Sequence, residues 1–367
     1  MRLKKSILHD PKFFLYSLAT DKKNGFIAGV IKLFLLILSL LYGIAVNLLI
    51  LSSSSRKAVL KCKVISIGNI TLGGTGKTML VEYVSSFLKE SGIKFAIISR
   101  GYKRTLSAVA KNQFSIAQMG DEPYMLWKKL KDVPVIVDSD RINAADKAIN
   151  EYKVNGVLLD DAFQQWAIKK DLEVCVIDSL NPFGNGHLIP RGILREPLSS
   201  LKRADVFVLS KTNFCENLPA LEQRLSRINS KALIVKSTHE YCGFYKINQH
   251  QLDFEMEFLR DKKVALISGI GDPHSFEKTV NSLGIDYELS FRFMDHHNYT
   301  SDELRHIVNK SEEKGITYII TTEKDAVRIS DLNEPVLTEN FLVLKVKLKI
   351  TDNEEKFHSR LLRVFSA

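Results

Sequence analysis

The sequence predicts an α/β protein with a doubly wound, mostly parallel sheet, a second smaller α/β lobe and an N-terminal apolar helix. Three observations predict it: an uncharged run near the N-terminus, a glycine-rich loop between a β-branched run and a helix, and short β-branched runs alternating with helical stretches. At 367 residues the chain exceeds the usual size of one domain, so two lobes are expected. With 45% hydrophobic and 26% charged residues it holds enough apolar side chains for a sizeable core, which excludes a disordered chain.

Leu33 to Ser52 carries no charge, and about 20 such residues suffice to span a bilayer as a helix. Asn47, the serines from Ser52 to Ser55 and Lys32 before the run equally suit a helix lying in the interface, with lysines snorkelling. Residues 1–58 are therefore assigned to a membrane-associated segment. The run starts late and has no small-x-small cleavage site, which argues against a cleaved signal peptide. Arg2, Lys4, Lys5, Lys22 and Lys23 precede it and Arg56, Lys57, Lys61 and Lys63 follow, so flanking charge fixes no orientation.

A first lobe is expected over 59–240, with strands at Lys63 to Ile67, Phe95 to Ser99, Val133 to Val137, Gly156 to Asp160, Glu173 to Asp178, Val206 to Ser210 and Ala232 to Ser237. A charged, strand-poor stretch from Glu240 to Asp261 separates it from a smaller lobe over 241–367. That lobe has strands at Val264 to Ser268, Tyr287 to Phe293, Tyr318 to Thr322 and Phe341 to Lys349. Its helices run near His274 to Leu283, over Asp302 to Lys314, and at the C-terminus.

The loop Gly68-Asn69-Ile70-Thr71-Leu72-Gly73-Gly74-Thr75-Gly76-Lys77-Thr78 follows the first strand and opens a helix. Glycines let backbone N–H groups turn inward around phosphates, and the helix N-terminus adds the positive end of its dipole. Thr71 through Thr78 form the expected phosphate cradle: Thr71, Leu72, Gly73, Gly74, Thr75, Gly76, Lys77 and Thr78. Lys77 would reach the β- and γ-phosphates, and the Thr78 hydroxyl would bind Mg²⁺. The lobe is thus of P-loop NTPase type, although Thr71 stands where the general pattern has glycine. The apolar run Val157-Leu158-Leu159 ends in Asp160-Asp161, the carboxylates such a loop needs beside a metal ion. After Val206 to Ser210 comes Lys211-Thr212-Asn213, which lacks the carboxylate a guanine-reading element requires, so ATP is the expected nucleotide.

The four cysteines are scattered with no C-x-x-C pair; structural disulfides and a zinc site are not expected. The net charge of +10 favours an anionic partner. Nucleic acid is the weakest such partner, because no aromatic-interleaved basic motif is present.

Further motifs run along the chain: Ser99-Arg100-Gly101-Tyr102, Gly120-Asp121-Glu122-Pro123, Asp160-Asp161-Ala162-Phe163-Gln164, Leu194-Arg195-Glu196-Pro197-Leu198, Gly269-Ile270-Gly271-Asp272-Pro273, Asp295-His296-His297 and Thr321-Thr322-Glu323-Lys324-Asp325-Ala326. With Gly-Asn-x-x-x-Gly-Gly-Thr-Gly-Lys-Thr they make the sequence resemble the tetraacyldisaccharide 4′-kinase family of lipid A biosynthesis, over nearly the whole chain. That family's own loop variant accounts for Thr71. Ala162 stands where the family commonly has glycine, and the apolar segment is longer than usual.

The resemblance implies transfer of the γ-phosphoryl of ATP, with Mg²⁺, to the 4′-hydroxyl of an acylated disaccharide 1-phosphate lipid at the cytoplasmic face of the inner membrane. No obligate protein partner is evident. It implies Asp121 as the base, with His296 as partner or orienter, Lys77 and Glu196 as further catalytic groups, and Thr78, Asp160 and Asp161 as metal ligands. Arg100, Tyr102, Arg141, Gln164 and Arg195 are implied in substrate or nucleotide contact. Without the resemblance, Asp121 reads as a helix cap, Asp295 to His297 as a surface turn before a capping box of Thr300 and Glu303, and Asp272 as a cap before Pro273. A regulatory P-loop ATPase or GTPase switch that uses the apolar helix to recruit partners is the alternative.

Overall fold

The computed structural model describes residues 17–21, 23–54, 57–100, 116–247, 249, 254, 256–332 and 340–366. Two compact units form: Met1–Arg100, Leu130–Thr238 and Lys349–Ala367 in the first, Gly101–Lys129 and His239–Leu348 in the second. A single cut after residue 240 therefore does not describe the chain. One crossing lies close to it, but 101–129 joins the second unit and the C-terminal segment returns to the first.

In the first unit the strands are β1 (Lys63–Asn69), β2 (Phe95–Ser99), β3 (Val135–Val137), β4 (Gly156–Asp160), β5 (Leu172–Asp178), β6 (Val206–Ser210) and β7 (Leu233–Lys246). They lie parallel in the order β3-β2-β4-β1-β5-β6-β7. Every residue of β2, β4, β5 and β6 is buried, as expected of strands covered on both faces. Helix Lys77–Glu90 turns Leu80, Val81, Val84 and Leu88 inward at helical spacing, and Arg141–Tyr152 buries Ala144, Ala145 and Ala148. Asp140 caps the latter by accepting from the amides of Ile142 and Asn143.

β7 is longer than the sequence suggests and carries the chain into the second unit, so the stretch from Glu240 is not uniformly strand-poor. The charge there masked Phe244, which is fully buried and bridges to Phe254. The second unit adds β8 (Val264–Ser268), β9 (Tyr287–Arg292), β10 (Tyr318–Thr322) and β11 (Phe341–Asp352), parallel in the order β11-β10-β8-β9. Its helices include Asp121–Lys129, Pro273–Ser282, Ser301–Glu312 and Glu323–Ser330.

The apolar segment is one helix, Phe26–Ser54, long and apolar enough by length and composition to cross a membrane. It starts before the uncharged run because Lys32, inside it, pairs with Asp21 at 2.7 Å. Ala28, Leu35, Ser39, Gly43 and Val46 form a buried stripe, while Leu33, Phe34, Ile37, Leu40, Leu41, Ile44, Leu48 and Leu49 are exposed.

Candidate active site

In a parallel sheet covered by helices, ligands gather outside the carboxyl ends of the strands. Register places Asp160, the last residue of β4, beside Ile67 of β1, at the edge where the glycine loop departs. Gly68 admits no side chain, because a Cβ there would lie 2.4 Å from the amide nitrogen of Phe163. This close approach packs the loop against the Asp160–Asp161 turn. Gly73 and Gly76 take φ of 109° and 87°, and Gly76 begins the helix in the left-handed region. Thr71 lies outside that region and is nearly buried, paired antiparallel with Leu194. A side chain is therefore tolerated where the general pattern has glycine.

Asn69, fully buried, ties the site together. Its amide donates to the Thr71 carbonyl at 2.8 Å, and its Oδ1 accepts from Lys77 Nζ and Arg195 Nη1, each at 3.2 Å. Arg195 forks onto Asp161 at 2.8 and 3.3 Å, and Lys77 lies 3.7 Å from the same carboxylate. Two cations thus converge on one anion at the mouth of the loop. Burial works to raise the Asp161 pKa, but the charges of Lys77 and Arg195 outweigh it and hold the carboxyl at about 2. Asp161 sits at φ 48°, a strained backbone that a β-carbon rarely adopts and that marks functional turns. Asp160 accepts from the Ser99 hydroxyl at 3.1 Å. Thr78 is the second residue of the helix the loop opens.

Beneath this layer the remaining expected residues hold rather than reach. Arg141 is buried, giving one nitrogen to the Asp138 carbonyl and another to the Asp160 carbonyl at 3.1 Å. Gln164 donates to the Asn69 carbonyl and to Glu196 Oε1, both at 3.0 Å. Glu196 is fully buried, and its oxygens also accept from Trp166 and Arg203. Its contacts fit a brace for Gln164 better than a metal ligand or base. Trp166 likewise serves a polar purpose beyond packing. Arg100 is exposed at the end of β2. Tyr102 lies outside the described residues.

In the second unit, Asp121 opens the helix Asp121–Lys129 and accepts at Oδ2 from His296 Nδ1, 3.0 Å away, and from Arg328. Lys324 reaches Glu122 at 2.8 Å, Asp295 at 3.0 Å and His296 Nε2 at 3.5 Å. Burial pushes the Asp121 carboxyl upward, but the hydrogen bond with His296 and the charges of Lys324 and Arg328 prevail and hold it well below the carboxylate range. His296 occupies the left-handed region at φ 59°. Arg328 is fixed in turn by the Gly269 carbonyl and Asp325, and buried Asp325 also accepts from the Gly269 amide and the Tyr299 hydroxyl. His297 instead faces Glu303 of the capping box with Thr300, and Asp272 caps its helix. Asp121 is thus more than a helix cap.

Sequence reasoning missed Asn69, Lys211 and Arg328 as site residues. Lys211, buried at φ 58°, bonds Asp178 at 2.7 Å and the Gly74 carbonyl at 3.2 Å, and Ser210 bonds the Thr75 carbonyl. The element read for its missing guanine contact therefore clamps the glycine loop. Arg328 follows Lys324 by four residues and Asp325 by three, a helical spacing that places all three on neighbouring positions.

Among the described residues no group of three or more His, Cys, Asp or Glu could hold a metal ion. The carboxyl oxygens of Asp160 and Asp161 with the Thr78 hydroxyl are hard donors, a set that suits Mg²⁺ completed by phosphate and water rather than an all-protein cage.

A family model for tetraacyldisaccharide-1-P 4′-kinase, LpxK, matches residues 31–366. The tetraacyldisaccharide 4′-kinase of Halothermothrix orenii is 37% identical over 328 residues, covering 84% of each chain. That of Elusimicrobium minutum is 34% identical over 340 residues, covering 88% of this chain and 89% of the other. The crystal structure of LpxK from Aquifex aeolicus in complex with ATP is similar at a TM-score of 0.71 and 28% identity, covering 91% of this chain and 99% of that one. The match runs from within the apolar helix to the last helix and takes in every element of both sites, so the chain belongs to the tetraacyldisaccharide-1-P 4′-kinase family.

Proposed function

We propose that the protein transfers the γ-phosphoryl of ATP to the 4′-hydroxyl of an acylated glucosamine disaccharide 1-phosphate. The observation that carries this reading is the convergence of Lys77 and Arg195 on one anionic position beside the glycine loop. Phosphoryl transfer asks a protein mainly for positioning and charge neutralisation. Lys77 and the loop amides neutralise the triphosphate, Asn69 fixes the Lys77 ammonium, and Arg141 and Gln164 hold the strand ends beneath it. Thr78, Asp160 and Asp161 would hold Mg²⁺, which when bound supplies charge stabilisation to the phosphates.

Asp121 and His296, hydrogen-bonded to each other, act as one proton-accepting pair for the attacking hydroxyl. Arg328 and Lys324 keep Asp121 ionised and so keep His296 oriented. Arg100 and Tyr102 are left for substrate contact, and Glu196 positions Gln164.

On this reading the enzyme works at the cytoplasmic face of the inner membrane, where its lipid substrate resides, and the apolar helix supports membrane association. It lies in the interface rather than across the bilayer. Ser39 and Tyr42, near its middle, bond to the 188–195 segment, and irregular backbone of that kind is not tolerated in hydrocarbon.

Incubation with γ-labelled ATP and the acylated disaccharide, then lipid extraction, tests the reading. Label in the organic phase is expected. Free phosphate alone would favour the regulatory ATPase.

A further inference from the structure

The apolar helix is joined to the phosphate site by an unbroken set of contacts. Ser39 Oγ donates to the Leu188 carbonyl at 2.7 Å and accepts from the Arg191 amide at 2.9 Å. One turn on, Tyr42 donates its hydroxyl to the Arg195 carbonyl at 2.9 Å. Next to Tyr42, a Cβ added at Gly43 would sit 2.8 Å from Leu188 Cδ1, so helix and segment pack closely there. Asp21 adds a fork from Arg191 at the helix's other end.

The bonded segment leads straight into the site. The Arg195 amide donates to the Ile70 carbonyl and the Leu72 amide to the Ile193 carbonyl, both at 2.8 Å. The Arg195 side chain then grips Asn69 and Asp161. Tyr42 therefore bonds a residue that itself touches the glycine loop and the Asp161 turn.

We propose that Tyr42 is a positioning residue that acts through Arg195, so that the lipid-facing helix is a working part of the phosphate site as well as an anchor. The reason is physical. Beside half-buried Tyr42, the exposed Leu41, Ala45 and Leu49 form an apolar stripe at helical spacing. Burying that stripe in lipid removes water from the flank of the Tyr42–Arg195 bond, and a hydrogen bond in lower dielectric is stronger. Attachment to a lipid surface thereby tightens the segment that aims the Arg195 guanidinium. The inference rests on the kinase reading for its kinetic consequence, though not for the structural coupling.

Tyr42→Phe keeps the ring and removes only the hydroxyl. In the full chain on phospholipid vesicles it is expected to float with the vesicles as wild type does. Its kcat for lipid phosphorylation should fall about 5-fold, the equivalent of one typical hydrogen bond, with the KM for ATP unchanged. In an Arg195→Ala background the same substitution should add no further loss, because the two residues act as one unit. Hydrogen exchange reads the coupling without turnover: the Leu72 and Arg195 amides should exchange faster in vesicle-bound Tyr42→Phe. An unchanged exchange rate overturns the proposal, as does wild-type kcat or an equal loss in the Arg195→Ala background. A wild-type protein that labels no lipid overturns the kinase reading alone, and the exchange comparison still decides the coupling.

Discussion

Asn69 binds Lys77, Arg195 and its own loop at once, so the cation proposed to meet the terminal phosphate is held in place by the protein itself. Lys77→Ala removes that charge where it develops most, and labelled-lipid turnover is expected to drop by about 10²–10³-fold or more. Asn69→Ala keeps the charge but frees the ammonium, so a smaller loss, about 10-fold, is expected in the same assay. In the second unit the relevant comparison is between Asp121→Asn, His296→Ala and the double variant. Each single change should lower kcat by about 10²–10⁴-fold while the KM for ATP hardly moves. The double variant should be no slower than the worse single one if the hydrogen-bonded residues act as the proposed pair. Additive losses in steady-state kinetics would separate them. Arg328 is legible only in the folded chain: its partner Asp121 lies 207 positions away, a separation that no local spacing reveals.

At the level of elements, the apolar helix splits into a stripe for the protein and a broader face for lipid, and the two can be tested apart. Leu40→Glu with Ile44→Glu places charges on the exposed face only, so vesicle flotation should be lost while ATP binding, measured by calorimetry, is retained. Retained flotation would mean that this face does not enter lipid. The same helix shows what sequence conveys. Its uncharged run was visible, but its start at Phe26 was not, since Lys32 is tolerated only by pairing with Asp21. Strands such as Phe95–Ser99, Gly156–Asp160, Val206–Ser210, Val264–Ser268 and Tyr318–Thr322 were read to their ends, because buried parallel strands are apolar throughout and stop at polar turns. β7 was cut short where its residues are amphipathic and only Phe244 and its neighbours pack. The glycine loop and the helix it opens were legible because their pattern is local, but the contacts of Asn69 and Lys211 that hold the loop were not. Gln164, Arg141 and Glu196 were found as residues, yet their inward contacts follow from burial, which spacing does not encode.

For the whole molecule, the two sites leave a signature in acid stability. Asp121 is held well below the usual 3.8, since the His296 bond and the Lys324 and Arg328 charges overcome the effect of burial, and Asp161 is held at about 2. As pH falls through about 4, the unfolded chain takes up protons that these folded carboxylates refuse, so the stability they give at neutral pH is lost on the way down. Buried Asp325 and Glu173 run the other way, raised by burial, and the net charge of +10 grows with acid in every variant, so the wild-type curve alone is a mixture. The difference between wild type and Asp121→Asn isolates one group. Near pH 7 the variant should be less stable by about 1–3 kcal/mol, because Arg328 and Lys324 lose a charged partner. That gap should hold down to about pH 4 and shrink below it, as the unfolded wild-type chain takes up the proton that folded Asp121 refuses. The chain has two tryptophans, and in a Trp166→Phe background Trp127, on the helix that Asp121 opens, reports urea unfolding by its fluorescence. A gap that stays constant with pH, or widens in acid, would show that Asp121 is not the ionised centre of this cluster.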